Sequence, residues 1–207
     1  MVIILRYIKN YYENTIIINK SKFIGQIYSV STIDEIQEIL KNTRKKYYDA
    51  THNCYAYILG DNQEIQKCSD DGEPQKTAGA PILDVLKKQQ MTNILVIVTR
   101  YFGGILLGAG GLVRAYSEAT SKALDIATKY IKKDVLEIVL PLSYKAYNQV
   151  VNLDYINIVD INYTMDVICT IRIDKEYESK FTADINNILQ EYDNTYEFEL
   201  KNELIQE

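Results

Sequence analysis

No stretch of this chain approaches the ~20 consecutive apolar residues that a bilayer-spanning helix needs, and the N-terminal run VIILRYIKN is too short and too quickly charged for a signal peptide. A membrane partner is therefore not expected, and the cytoplasm is the expected compartment. Cysteine is scarce. Cys54, Cys68 and Cys169 are an odd set at no disulfide-framework or metal-ligand spacing, which suits ordinary thiols in reducing surroundings. Histidine is scarcer still: His52 stands alone, with no partner at a recognised ligand spacing, so no metal centre is expected. Glycine is absent from the last third. All nine glycines precede Lys133.

What is present divides in the same way. Up to Lys133 the chain carries 18 Lys and Arg against 13 Asp and Glu, a net charge of +5, whereas the remainder carries 5 against 15, a net −10. Charge and glycine change together, as they do between separately folded units, so residues 1–133 and 134–207 are expected to be two domains. The basic part suits phosphate-bearing partners. The acidic part beside it discourages indiscriminate binding to nucleic acid.

The most informative stretch is NILVIVTRYFGGILLGAGGLVRAYS, Asn93 to Ser117. Ile94 to Thr99 are apolar or β-branched over a length that fits a buried strand. Gly103, Gly104, Gly108, Gly110 and Gly111 then form a dense turn, free to take positive φ or to approach another element closely. From Leu112 the residues Ala115, Tyr116, Ala119, Ala123, Ala127 and Tyr130 follow at spacings of three and four, which predicts an amphipathic helix of about five turns. Amides at a helix N-terminus attract anions, and Arg100 and Arg114 flank the turn with positive charge. The plainer reading is tight strand-to-helix packing, with each arginine paired to a local carboxylate such as Asp70 or Asp71.

In chain order, residues 14–30 read as a hairpin joined near Lys20 and Ser21, with a bulge expected at Gly25. Thr32 and Glu35 form a capping box ahead of a helix running to about Tyr47. THNCYAYILG, Thr51 to Gly60, is a strand that sets His52 and Cys54 on one face; a nucleophile and base reading lacks an orienting third group. Cys68 to Leu83 is a loop closing into a helix from Pro81, and its Asp70, Asp71 and Glu73 are either turn chemistry or carboxylates for Mg²⁺ or acid–base work. The acidic part alternates as strand (Asp134–Leu142), helix (Tyr144–Leu153), strands (Ile156–Tyr163 and Asp166–Ile173), helix (Glu176–Gln190) and strand (Thr195–Leu200). That order, βαββαβ, is the split βαβ arrangement of ferredoxin-like domains.

Three motifs, THNCYAY at Thr51 to Tyr57, SDDGEPQKTAGAPIL at Ser69 to Leu83 and TRYFGGILLGAGGLVRAYS at Thr99 to Ser117, closely resemble the signatures of the YigZ/IMPACT family in order and spacing. The resemblance covers about residues 20–130. It implies an α+β fold: an N-terminal domain similar to domain IV of elongation factor G, and a C-terminal domain similar to its domain V, as in two-domain bacterial members. It also implies regulation of translation, since eukaryotic members occupy the activator of a kinase that phosphorylates an initiation factor. Two departures stand out. Leu106 occupies the place of the family's lysine in the glycine turn, and Gln75 and Lys76 stand between Pro74 and Thr77, where Lys76 partly replaces the missing charge.

The leading expectation is a non-enzymatic regulator that binds RNA, the ribosome or a translation-related protein through the basic domain. Lys22, Arg100 and Arg114 would contact phosphate around the glycine turn, with Tyr101 and Phe102 available for stacking. His52, Cys54, Asp70, Asp71, Glu73, Lys76 and Thr77 belong to the family's motif loop and are expected to hold the domain together. Two alternatives remain. One is a phosphate-handling enzyme using the Gly103 to Gly111 turn and the acidic loop, although the turn lacks the Lys-Ser/Thr ending of a Walker loop. The other is a pure protein-interaction module. No cofactor is expected.

Overall fold

The structure, a computed structural model, describes residues 4–189 and 198–207. It resolves into two compact units, residues 1–131 with 206–207, and residues 132–205. Both are mixed α+β. In the first, β2 (Tyr12–Ile18), β3 (Ser21–Ser29), β4 (His52–Leu59), β5 (Ile65–Ser69) and β6 (Ile94–Tyr101) make a five-stranded sheet in the order β2-β3-β6-β4-β5. A short β1, Arg6–Tyr7, precedes them and pairs with Tyr130 and Ile131.

The β2–β3 hairpin turns on Asn19 and Lys20, both at positive φ (46° and 64°), and Ile18 faces Ser21 directly. Two central residues with positive φ match the right-handed twist of the strands they join. The bulge expected at Gly25 does not occur: the register runs unbroken through Asn14, Gly25 and Val98. Gly25 instead lets α3 approach, because a Cβ there would lie 2.8 Å from the Ala119 carbonyl oxygen.

Three helices cover this sheet. α1 (Ile33–Lys46) begins at Thr32 with both halves of the capping box formed, and lays Ile36 and Leu40 on Tyr55, Tyr57, Leu95 and Ile97 of one face. α2 (Gly79–Lys88) and α3 (Gly108–Asp125) cover the other, where Phe23, Cys54, Val98, Tyr116 and Ala119 share one core. Two boundaries differ from the sequence reading. α3 starts at Gly108 rather than Leu112 and ends at Asp125, so Gly108, Gly110 and Gly111 are helical and Tyr130 belongs to β7. α2 starts two residues before Pro81, and Cys68 and Ser69 lie in β5, not in a loop.

The second unit follows the βαββαβ order. β7 (Tyr130–Leu142), α4 (Tyr144–Val150), β8 (Ile156–Tyr163), β9 (Val167–Asp174), a single 3₁₀ turn (Lys175–Tyr177), α5 (Glu178–Ile188) and β10 (Glu199–Gln206) succeed one another. The strands order as β10-β7-β9-β8, with β9 antiparallel to β7 and to β8, the ferredoxin-like arrangement. Alternation decides the faces: Leu136, Ile138, Leu140, Cys169 and Ile171 point to Phe181 and Ile185 of α5, while Val139 and Ile168 remain exposed. Of the strand expected at 195–200, residues 195–197, like Gln190 of the expected helix, lie outside the described residues.

Candidate functional site

The three sequence motifs converge at one end of the first unit's sheet. β4 and β6 are neighbours in a register that pairs His52 with Arg100, Asn53 with Thr99 and Cys54 with Val98. Side chains two apart share a face, so His52, Cys54 and Arg100 all turn towards α2 and α3. On the opposite face a buried relay runs from the Gln26 amide to the Thr99 hydroxyl (3.0 Å), which donates to Asn53 (2.7 Å).

The motif loop between β5 and α2 is held in an uncommon backbone shape, with Asp71, Gly72 and Lys76 at φ of 43°, 89° and 63°. Its own carboxylates fix it. Asp70 Oδ1 accepts the Ala78 and Gly79 amides (3.0 and 2.9 Å) and Oδ2 accepts that of Lys76 (2.8 Å), capping α2 from outside; this is why the helix can begin before Pro81. Asp71 Oδ2 accepts the Asn53 amide (2.7 Å), and Oδ1 lies 3.4 Å from Arg44. The Thr77 hydroxyl donates to the Pro74 carbonyl. Both aspartates are thus engaged by protein, and among the described residues no group of three His, Cys, Asp or Glu side chains is arranged for a metal ion.

This loop delivers Glu73 into the interior, its side chain only 3% exposed. Glu73 Oε1 accepts from Arg100 Nη1 at 2.6 Å and from the Tyr116 hydroxyl at 2.8 Å, and Oε2 lies 3.8 Å from His52 Nε2. His52 Nδ1 is 2.8 Å from the Asp71 carbonyl, which can only accept, so Nδ1 carries a proton and donates there. The third group that orients this histidine is therefore a backbone carbonyl, invisible to side-chain pattern. Cys54 is fully buried, with the Asp70 carbonyl at 2.9 Å and the Tyr116 oxygen at 3.3 Å within reach of its thiol. Burial pushes the thiol pKa well up, against the smaller opposing effect of its hydrogen bond with Tyr116, and disfavours the thiolate that a nucleophile would need. Burial likewise raises the Tyr116 phenol.

A cavity of about 400 Å³ opens beside this cluster. Thr51, His52, Glu73 and Arg100 are its polar lining residues, Phe102, Leu107 and Leu112 are among its apolar ones, and Gly108 and Ala109 bring the first turn of α3 to it. No side chain caps that helix.

The expected phosphate contacts fare unevenly. Arg100 is 5% exposed, paired with Glu73 rather than with Asp70 or Asp71, and its Nε is buried without a hydrogen-bond partner; it is no surface phosphate ligand. Its guanidinium lies 5.5 Å from the ring centres of Phe23 and Phe102. Lys22 and Arg114 are exposed, and no carboxylate among the described residues forms an ion pair with either. The Tyr101 hydroxyl donates to Asp49 (2.9 Å), whereas Phe102 is 46% exposed. Gly103 serves packing, since a Cβ there would meet the Lys20 backbone at 2.0 Å; Gly104 and Gly108 face open space but need positive φ (83° and 69°). Lys76 is exposed, and Leu106 is 86% exposed. Sequence reasoning missed Tyr116 as a polar member of the cluster, because its place in an apolar stripe gave no sign of the Glu73 beneath its hydroxyl.

The first unit, an α+β scaffold carrying this motif cluster, is followed in the same chain by a unit with the ferredoxin-like strand order. The family described as Impact N-terminal domain matches residues 19–124, and the chain belongs to the IMPACT family. It is similar to the IMPACT family member YvyE of Bacillus subtilis, with 52% identity over 113 residues, covering 55% of this chain and 52% of that protein. It is similar too to the IMPACT family member YigZ of Escherichia coli, with 37% identity over 129 residues, covering 61% and 63%. The matched part thus spans between half and two-thirds of these curated relatives. A crystal structure described as that of a hypothetical protein overlays 96% of this chain and 97% of its own, with a TM-score of 0.60 and 26% identity.

Proposed function

We propose that this chain is a translation-associated regulator that acts by binding RNA or the ribosome through its first unit. The observation that carries the reading is unpaired positive charge on the first unit: Lys22, opposite Tyr101 in the β3–β6 register, and Arg114 on α3 are both exposed and free of ion pairs among the described residues, and the ring of Phe102 is 46% exposed. Cations that are not neutralised locally can exchange counterions for phosphate, and an exposed ring can stack on a base. Family membership supports the translation context, since the resemblance to IMPACT proteins implies regulation of translation.

The way the reactive groups are used supports binding over catalysis. The Cys54 thiol is buried and hard to ionise, and the Asp70 and Asp71 oxygens accept backbone amides. The test is capture of the tagged full chain's partners from a native lysate, with and without ribonuclease. Ribosomal RNA and proteins retained only without nuclease support the proposal. Retention of a translation factor that survives nuclease would favour the protein-interaction reading instead.

A further inference from the structure

We propose that the cavity beside His52, Glu73 and Arg100 is a pocket for a single nucleobase; the proposal rests on the RNA-binding reading above, with the base an unstacked one of a bound strand. The polar end of the cavity carries the inference. Glu73 and Arg100 both line it, with side chains only 3% and 6% exposed. Their ion pair is single-pointed rather than forked. Arg100 Nη1 and the Tyr116 hydroxyl both donate to Glu73 Oε1, while Glu73 Oε2 and Arg100 Nη2 make no hydrogen bond, the nearest approach to Oε2 being His52 Nε2 at 3.8 Å. Neither open atom is sealed from solvent, since among the described residues Arg100 Nε alone is both fully buried and without a partner. A buried acceptor and a buried donor on one ion pair are therefore left unused. Because the two charges cancel, the pair calls for a neutral group that offers a donor to Oε2 and an acceptor to Nη2. A base presents such a donor and acceptor on its Watson–Crick edge, and unstacked bases of single-stranded RNA are read there.

The rest of the lining suits the flat body of a base. Phe102 lines the cavity with a ring 46% exposed, and its amide donates to the Thr51 hydroxyl at 3.0 Å, which fixes the backbone that carries the ring. A base stacks on such a ring. Leu107 and Leu112 add apolar contact, and a volume of about 400 Å³ suits a molecule of nucleoside size. A peptide amide offers the same donor and acceptor but no flat ring for Phe102, so the lining favours a base.

The test uses neutral nucleosides, so it does not depend on phosphate contacts. Isotope-labelled full-length protein is titrated with adenosine, with cytidine, with the riboside of each ring lacking its amino group, and with N-acetylleucinamide, while the amide resonances of Phe102, Leu107 and Gly108 are followed. Saturable shifts with adenosine, cytidine or both are expected, with the matching riboside that lacks the donor binding roughly tenfold more weakly. Ala109 lines the cavity from the exposed first turn of α3, and Ala109→Leu fills it with a strong helix former without touching the ion pair. Its melting temperature should hold while nucleoside affinity falls by roughly tenfold or more. A hexamer of adenylate, titrated in parallel, separates the two readings. Saturation by adenosine with no binding of the hexamer sustains the pocket and overturns RNA binding; binding of the hexamer with no saturation by either nucleoside leaves RNA binding and overturns the pocket. Equal affinity for the ribosides that lack the donor, tighter binding of N-acetylleucinamide than of either nucleoside, or undiminished affinity in Ala109→Leu would also overturn it.

Discussion

At the scale of single residues, the motif cluster is built on Glu73 and Arg100, whose side chains are 3% and 6% exposed and joined at 2.6 Å. Removing one partner of such a pair strands a buried charge, so Glu73→Gln should cost about 3–5 kcal/mol in denaturant unfolding, and Glu73→Gln with Arg100→Met less than the sum of the two. A full additive loss would mean that the two side chains are not coupled. Cys54 and Tyr116 give a pH signature. Both have folded pKa values raised by burial above the ordinary 9.0 and 10.0, so the unfolded chain loses each proton first. Their contribution to stability is therefore complete below pH 9.0 and is lost as pH rises above that, and Cys54→Ala should flatten the decline. A pH dependence identical in Cys54→Ala and the parent would contradict the buried thiol. These pairings were only half legible in sequence. Motif spacing brought His52, Glu73 and Arg100 to notice, but their partners are a backbone carbonyl, a tyrosine read as apolar, and a carboxylate other than the two aspartates expected.

At the scale of elements, the hairpin, the capping box of α1 and the βαββαβ order were legible because each rests on local periodicity and turn chemistry. Element ends were not. The start of α3 was hidden because glycine looks like turn wherever it stands, and the start of α2 is set by Asp70 reaching across from the end of β5, a tertiary contact. Gly25 marks where β3 and α3 touch. In Gly25→Ala the new methyl meets the Ala119 carbonyl, which cannot move without its helix, so a loss of roughly 1–3 kcal/mol is expected from thermal or denaturant unfolding. Stability equal to the parent would show that the two elements are not in close contact. The 86% exposed Leu106 behaves oppositely: Leu106→Lys should leave unfolding within about ±0.5 kcal/mol and strengthen RNA binding, whereas unchanged binding would remove the glycine turn from the interface.

At the scale of the whole molecule, the shift in charge and glycine content near Lys133 falls close to the division between the two compact units, at Ile131. Separate expression of residues 1–133 and 134–207 is expected to give two pieces that each unfold cooperatively, and the isolated first piece, freed from a net −10 neighbour, should bind RNA more tightly than the full chain. Binding through the basic surface is tested most directly by comparing the full chain with its Lys22→Gln, Arg114→Gln double variant. Both are co-sedimented with ribosomes at increasing salt, with melting temperatures taken on the same samples. The parent should sediment with ribosomes and be released by salt, with a log–log slope of about −0.7 for each phosphate that it neutralises. The double variant should melt as the parent does but stay at the top of the gradient. Co-sedimentation of the double variant equal to the parent's, or a parent that never enters the ribosomal fractions, would contradict binding through this surface.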